Sequence, residues 1–144
     1  MNSEIIRLGQ VTIRFLLEGR DTDGRMAMFE FGVAAGAKVP VPHYHEKYDE
    51  TVYGLEGTLT FTVEGKPVEL RPGGVCFIPR GAVHGFNNFG KEDARALAVI
   101  TPGLLGPDFF REVAAIMSAG GPPDLEKMKA VLLKHGLVPV IPKT

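Results

Sequence analysis

Short apolar runs separated by turn residues occupy most of the chain up to residue 101. In residues 58–64, threonines alternate with leucine, phenylalanine and valine, which is the pattern of a strand with one solvent-facing side and one packed side. Comparable runs lie at 11–18, 25–33, 50–55, 68–70, 75–78, 83–89 and 95–101. About eight short strands at this spacing predict a mainly β fold, either a closed barrel or a double-sheet jelly roll.

Glycine-containing pairs mark the turns between these runs. Asp23-Gly24 predicts a tight hairpin turn that pairs the first two runs, since glycine adopts positive φ without steric cost. Glu56-Gly57 and Gly65-Lys66 predict the turns before and after the threonine-rich strand.

After Pro102-Gly103 the apolar spacing changes to the period of a helix. A first helix is predicted to begin at Pro107 and Asp108, and its apolar stripe comprises Phe109, Phe110, Val113, Ile116 and Met117. A second helix is predicted to be capped by Asp124 and to end at Gly136, with its inward side formed by Leu125, Met128, Val131 and Leu132. We expect residues 1–103 to form the barrel and residues 104–144 a helical appendage packed on it, in one domain.

Composition and charge restrict the function classes. A formal net charge of −1 without a long basic run argues against nucleic-acid binding. The start, Met1 to Gln10, contains Glu4 and Arg7 and no long apolar segment, so we expect no membrane anchor and a cytoplasmic protein. The single cysteine, Cys76, excludes an internal disulfide and a thiolate cluster, so any metal must be bound by nitrogen and oxygen.

Two histidines and a nearby glutamate form a candidate metal-binding set. His43 and His45 are two residues apart, and on a strand both would point to one face. Glu50 follows at an odd offset, so a turn or bulge within residues 46–49 must redirect the chain if its carboxylate is to face inward. Glu46 and Asp49 are the alternative acidic ligands, and Asp49 is the better of the two.

Two blocks of residues carry a resemblance to a known family. The first block consists of Gly36, His43, His45, Glu50 and Gly57, and the second of Gly73, Pro79, Gly81, His84 and Asn88. In order and spacing they resemble the two motifs of the cupin family, small members of which are single β-barrels. Gly36 lies one residue farther from His43 than the usual gap, which here also contains Pro40 and Pro42.

The resemblance implies a jelly-roll (cupin) β-barrel with two C-terminal α-helices and one divalent transition metal. The implied ligands are His43, His45, Glu50 and His84. Imidazole and carboxylate donors suit iron, manganese, nickel, zinc and copper, and nothing in the sequence selects among them. Four protein ligands leave two positions open on an octahedral ion, as in a reactive rather than a structural site.

Other residues receive supporting roles. Phe86 shares strand parity with His84 and is a candidate pocket wall, whereas Asn88 is a candidate pocket residue that forms a turn or supporting hydrogen bond. Pro79 and Gly81 are interpreted as turn formers that aim His84. Structural roles are expected for the three remaining candidates, namely His135 at a helix C-terminus, Cys76 in the core, and Tyr53 on the face away from the metal, in packing or a subunit contact.

The predicted function is that of a metal-dependent enzyme resembling the quercetin-dioxygenase-like cupins. Its substrate would be a small organic molecule, hydrophobic or aromatic in character. A non-catalytic metabolite-binding or sensing protein and a metal-dependent isomerase or lyase remain as alternatives. Exposed strand edges favour a homodimer.

Overall fold

The structure is a computed structural model, and it describes residues 4–37 and 42–140. Its strands are Ile6–Leu8 (β1), Val11–Leu17 (β2), Ala27–Val33 (β3), His43–His45 (β4), Asp49–Glu56 (β5), Leu59–Val63 (β6), Lys66–Leu70 (β7), Val75–Ile78 (β8), His84–Asn87 (β9), Ala94–Thr101 (β10) and Leu137–Pro139 (β11). Its α-helices are Pro107–Met117 (α1) and Leu125–Lys134 (α2). Pro40, which lies in the gap of the first motif, falls outside the described residues.

The strands form two antiparallel sheets between which the chain crosses repeatedly. One sheet has six strands in the order β1-β2-β3-β10-β5-β8, and the other has five in the order β11-β4-β9-β6-β7. The inner faces carry the apolar half of each alternating pattern, so that the buried side chains of both sheets form one core. This arrangement is the jelly roll that the sequence predicts.

Two predicted turns differ in detail from those in the structure. β2 and β3 pair as expected, and Asp23 and Gly24, both at positive φ, form the predicted turn, in which the Arg25 amide donates to the Thr22 carbonyl at 3.3 Å. A 3₁₀ turn, Gly19–Thr22, precedes it and makes the connection longer than a tight hairpin. The Thr22 hydroxyl bonds the backbone of Met26 at 2.6 Å and 3.0 Å, which closes this wider loop. The turn after β6 is Glu64-Gly65, one residue earlier than predicted, and both residues have positive φ.

A line of phenylalanines runs through the interior from the first sheet to the second. Phe15 and Phe29 have ring centroids 4.9 Å apart, and Phe31 contacts Phe86 at 5.4 Å. Phe61 contacts Phe86 from the other side at 5.5 Å. The middle of the barrel is therefore a packed aromatic core.

Helix α1 contributes to this core. It begins at Pro107 as predicted, and the Phe110 ring packs against Phe15 at 5.8 Å and Phe29 at 5.2 Å. Met117 and Leu125 were expected to face inward, but they are 45% and 74% exposed. Both lie next to the exposed turn between the helices, where the end of the Met117 side chain reaches Gly9 in the turn between β1 and β2.

Helix α2 is followed by a strand that the sequence pattern did not predict. Asp124 caps the helix by accepting a hydrogen bond from the Lys127 amide at 3.1 Å, as expected. After Gly136, β11 pairs antiparallel with β4. The C-terminal segment therefore supplies two helices and the edge strand beside the histidines of β4. None of the helices in residues 4–37 and 42–140 is long and apolar enough to cross a membrane.

The Phe110→Ala substitution tests whether α1 is part of the core. Removing the buried ring leaves a cavity against β2 and β3, and we expect the free energy of unfolding to fall by about 3–5 kcal/mol in urea denaturation. The control is Leu125→Ala in α2, which we expect to change stability by less than about 0.5 kcal/mol because its side chain is exposed. Equal stability of the two variants would contradict a core role for α1.

Candidate metal centre

Three histidines converge inside the barrel. Ligand nitrogens of His43, His45 and His84 all lie within 4.8 Å of one another. His45 and His84 are buried, and His43 is half-buried. Their ring centroids lie 4.6–5.0 Å apart. The structure thus brings together all three histidines that the sequence singled out as ligands.

The pairing of two strands accounts for this convergence. β4 runs antiparallel to β9, and His43 lies directly opposite His84 across this pair. His45 is two residues along β4, so its side chain leaves the same face of the sheet as His43. Three imidazoles on one sheet face therefore follow from strand register alone.

Glu50 reaches the centre from the opposite sheet. The chain bends at Glu46 and Lys47 and enters the six-stranded sheet at β5, which meets the requirement for a turn between His45 and Glu50. The Glu50 Oε1 lies 3.9 Å from the His45 Nε2. Glu50 thus adjoins the histidine cluster on its His45 side.

The two alternative acidic residues point elsewhere. The Asp49 carboxylate accepts hydrogen bonds from the Arg80 backbone amide at 2.9 Å and from its guanidinium at 3.2 Å. The Glu46 side chain is exposed. Of the three neighbouring acids, the structure therefore turns only Glu50 toward the imidazoles.

The His84 ring is fixed by a hydrogen bond to the backbone. Its Nδ1 lies 2.9 Å from the Ala82 carbonyl oxygen, which can only accept, so Nδ1 carries the proton. The Nε2 atom is then left with the free lone pair that a metal requires.

A tight turn places His84 at this point. The Ala82 amide donates to the Pro79 carbonyl at 3.1 Å, and Gly81 at φ 86 occupies the turn position that favours glycine. The Gly81 amide also donates to the His45 carbonyl at 2.7 Å. Pro79 and Gly81 thus have the turn-forming role expected of them, and the turn ties the second motif to the first.

Burial controls the charge of the centre. Desolvation lowers the pKa of His45 to about 2, helped by the neighbouring His43 and His84, and it also lowers the pKa of His84. Both rings are therefore neutral near pH 7, as metal ligation demands. Desolvation raises the pKa of Glu50 to about 7.

The three histidines are close enough together to hold a single transition-metal ion, and Glu50 adjoins this group at His45. Two donor atoms that each lie about 2.1 Å from one ion are at most about 4.2 Å apart. The separation of 3.9 Å between His45 and Glu50 is within this limit. Three nitrogens that are all 4.8 Å apart would each move about 0.7 Å to lie about 2.1 Å from a common centre, which small side-chain rotations allow.

The two candidate pocket residues lie in different surroundings. Phe86 is half-buried and leaves β9 on the same side as His84. The buried Asn88 amide donates to the carbonyls of Val33 at 3.0 Å and Glu92 at 2.9 Å, and its oxygen accepts from the Gly90 amide at 3.0 Å. These bonds close the loop after β9.

The remaining candidates have structural surroundings. The His135 ring contacts the Glu112 carboxylate and packs against Phe109, with ring centroids 5.4 Å apart. Cys76 is buried, and burial raises the pKa of its thiol. Tyr53 is exposed on the outer face of β5, away from the metal centre as expected.

Tyr48 is a residue of the centre that the sequence did not single out. It is 1% exposed, and its ring stacks on that of His45 with centroids 4.5 Å apart. The sequence signal that could have identified Tyr48 is an aromatic residue three positions after the candidate ligand His45. Its contact with His45 depends on the bend between β4 and β5, which the sequence pattern does not specify.

Comparison with known proteins decides the family. The model of the cupin domain family matches residues 29–100, which contain every residue of the site. The chain belongs to the cupin family. The jelly-roll fold and both motifs agree with this membership.

Three similar proteins illustrate the range of this cupin's relatives. The quercetin 2,3-dioxygenase of Bacillus subtilis is 33% identical over 98 residues, which cover 68% of this chain and 28% of that enzyme. The oxalate-binding protein of Thermotoga maritima is 33% identical over 93 residues, covering 64% of this chain and 76% of that protein. The crystal structure of a predicted oxalate decarboxylase from the same species superimposes with a TM-score of 0.63 at 30% identity, covering 69% of this chain and 90% of that one.

Metal affinity is expected to fall as the pH is lowered through the pKa of Glu50. Below about pH 7 its carboxyl group is protonated, so an ion must displace that proton, whereas His45 stays neutral throughout. One competing proton weakens binding about tenfold per pH unit, so Co(II) binding measured by titration should be about 30-fold weaker at pH 5.5 than at pH 8.

The control for this pH dependence is Glu50→Gln, whose amide does not titrate. We expect the affinity of this variant to be lower at pH 8 and to depend less on pH than that of the wild type over the same range, because the carboxyl proton no longer competes with the ion. A wild-type affinity that is constant from pH 8 to pH 5.5 would show that Glu50 does not bind the ion.

Proposed function

We propose that this cupin is a metal-dependent enzyme of the dioxygenase type that acts on a small organic molecule. The observation that carries the proposal is the convergence of three imidazoles inside the barrel, with the Glu50 carboxyl group beside His45. The similarity to quercetin 2,3-dioxygenase supports the reaction class.

His43, His45, His84 and Glu50 would hold the ion in this proposal. When bound, a divalent ion of iron, manganese, nickel, copper or zinc supplies Lewis-acid chemistry, and the redox-active members of that series supply electron transfer. The Glu50 carboxylate offsets one of the two positive charges. The Ala82 carbonyl holds the proton of His84 on Nδ1 and so keeps Nε2 available.

The aromatic wall beside the centre supports an apolar or aromatic substrate. Phe86 leaves β9 on the same side as His84 and packs against Phe31 and Phe61. A flat apolar molecule placed against the part of the Phe86 ring that the packed core leaves exposed would be held by dispersion and ring contacts. We propose Phe86 as the wall of the substrate pocket and Asn88 as the residue that fixes the loop at its end.

Binding without turnover is the second candidate function. It is favoured by the similarity to the oxalate-binding protein, most of whose length this chain covers. The same donors would then hold an ion that captures a small carboxylate. A metal-dependent lyase is supported in the same way by the similarity to the predicted oxalate decarboxylase structure.

Elemental analysis combined with oxygen uptake tests the proposed function. Wild-type protein purified without added metal should contain about one transition-metal ion per chain and should consume oxygen with one member of a panel of aromatic and enol substrates. His84→Ala should lose most of the metal and the uptake, because two imidazoles and a carboxylate bind an ion much more weakly.

The matched control is His135→Ala, which removes the one histidine outside the centre. Its metal content and oxygen uptake should stay close to those of the wild type, because Tyr48 contacts the backbone carbonyl of His135, which the substitution keeps. Full metal content in His84→Ala would contradict the proposed ligand set. A metal-loaded wild type that retains a metabolite but turns nothing over would favour the binding function.

We propose in addition that the protein is a homodimer that pairs through β8. Among the described residues, β8 is an edge of the six-stranded sheet. Its outward side chains Val75 and Phe77 are 61% and 57% exposed, and Tyr53 lies opposite Val75 on β5. A second copy fits this edge, because antiparallel pairing about a two-fold axis joins the backbones and covers both apolar patches.

Light scattering after size exclusion tests this arrangement. We expect a mass of twice the 15.6 kDa of one chain for the wild type and the mass of a monomer for Phe77→Lys, whose charge cannot be buried at the interface. Phe89→Lys, at an exposed loop position away from β8, should remain dimeric. A monomeric wild type would contradict the proposal.

A further inference from the structure

The segment that joins His45 to Glu50 contains a buried aromatic ring. Tyr48 is 1% exposed although it lies in the bend between β4 and β5. One face of its ring covers the His45 imidazole at a centroid distance of 4.5 Å and an interplanar angle of 24°. The bend therefore places a flat side chain directly against a proposed metal ligand.

The turn between α2 and β11 holds Tyr48 from the other side. Its hydroxyl donates to the His135 carbonyl at 3.4 Å. Its ring lies beside Gly136, where a Cβ atom would be 3.6 Å from the Tyr48 Cε1. The Glu46 amide donates to the Gly136 carbonyl at 3.4 Å, so the bend and the C-terminal turn are joined at two points.

The ring contacts of His45 with the other two histidines restrict its ring plane less than the contact with Tyr48 does. His84 meets the His45 ring edge-on, at an interplanar angle of 78° and a centroid distance of 4.7 Å. His43 lies at 41° and 5.0 Å. The near-parallel contact with Tyr48 is the one that restricts rotation of the imidazole about its Cβ–Cγ bond, because such rotation would drive the ring into the tyrosine.

We propose that Tyr48 is a positioning residue that sets the orientation of the His45 imidazole, and that the α2–β11 turn holds Tyr48 in place. The proposal rests on the metal centre of the proposed function and adds to it that the C-terminal segment is a part of that centre. An orienting contact of this kind raises metal affinity because the ligand need not be ordered when the ion binds.

Co(II) alone, added to the chelator-treated chain of 144 residues, is the probe. Tyr48→Met fills most of the space without a flat face, and we expect its Kd for Co(II) to rise about tenfold or more, with a shift of the visible d–d absorption. Tyr48→Phe keeps the ring and loses only the long hydrogen bond, so its Kd should stay within about threefold of the wild type with an unchanged spectrum.

Tyr44→Leu is the matched control. Tyr44 lies between the two histidines on β4 and its side chain leaves the other face of the strand. The Co(II) affinity and the visible spectrum of this variant should equal those of the wild type. Circular dichroism and thermal unfolding before addition of Co(II) report whether each variant is folded, and Tyr48→Leu serves if Tyr48→Met does not fold.

The possible results separate this proposal from the metal centre itself. Wild-type affinity and spectrum in a folded Tyr48→Met variant would overturn the positioning role and leave the centre intact. An equal loss in Tyr48→Phe would also overturn it, because the ring face would then not be the cause. A wild type that does not bind Co(II) would overturn the centre and the positioning role together.

Discussion

Desolvation of the His45 and His84 imidazoles and of the Glu50 carboxyl group is the constraint on which the rest of the centre depends. The interior that surrounds these groups is made of phenylalanine rings and aliphatic side chains. Such surroundings disfavour charge, and they lower the pKa of His45 to about 2 and raise that of Glu50 to about 7. Neutral imidazoles are good metal ligands, and the attraction between a carboxylate and a divalent ion is strongest where water is excluded. Burial of these polar groups therefore lowers the stability of the fold, but it also makes the groups good ligands for a metal ion.

The jelly roll meets this constraint because the proposed ligands come from both of its sheets. The register of β4 against β9 places His43 opposite His84. The bend after His45 carries the chain to the other sheet, from which Glu50 approaches. The C-terminal segment closes the arrangement, because β11 pairs with β4 and the turn before it contacts Tyr48. The centre is therefore supported by residues distant in sequence from both cupin motifs.

Much of this organisation could be predicted from local pattern. Strand alternation located eight barrel strands, β2, β3 and β5–β10, but not β1 at Ile6–Leu8, and the proline, aspartate and glycine signals marked the ends of both helices. The turn at Asp23-Gly24 is present as predicted, but the 3₁₀ turn that precedes it was not predicted, and the Thr22 hydroxyl closes this longer connection by binding the Met26 backbone. Strand β11 was missed because its three residues carry no alternation of their own, and its pairing partner lies about ninety residues away. The contact between Tyr48 and His45 could not be predicted, because it depends on the path of the bend and on the C-terminal turn that fills the space behind it.

A crystal structure with anomalous diffraction data, from protein purified without chelator, tests the metal centre most directly. The account predicts a single anomalous peak inside the barrel, within about 2.0–2.3 Å of one nitrogen from each of His43, His45 and His84 and of a Glu50 oxygen. Absence of a peak between these side chains after soaking with Co(II), or a peak bound by other residues, would contradict it.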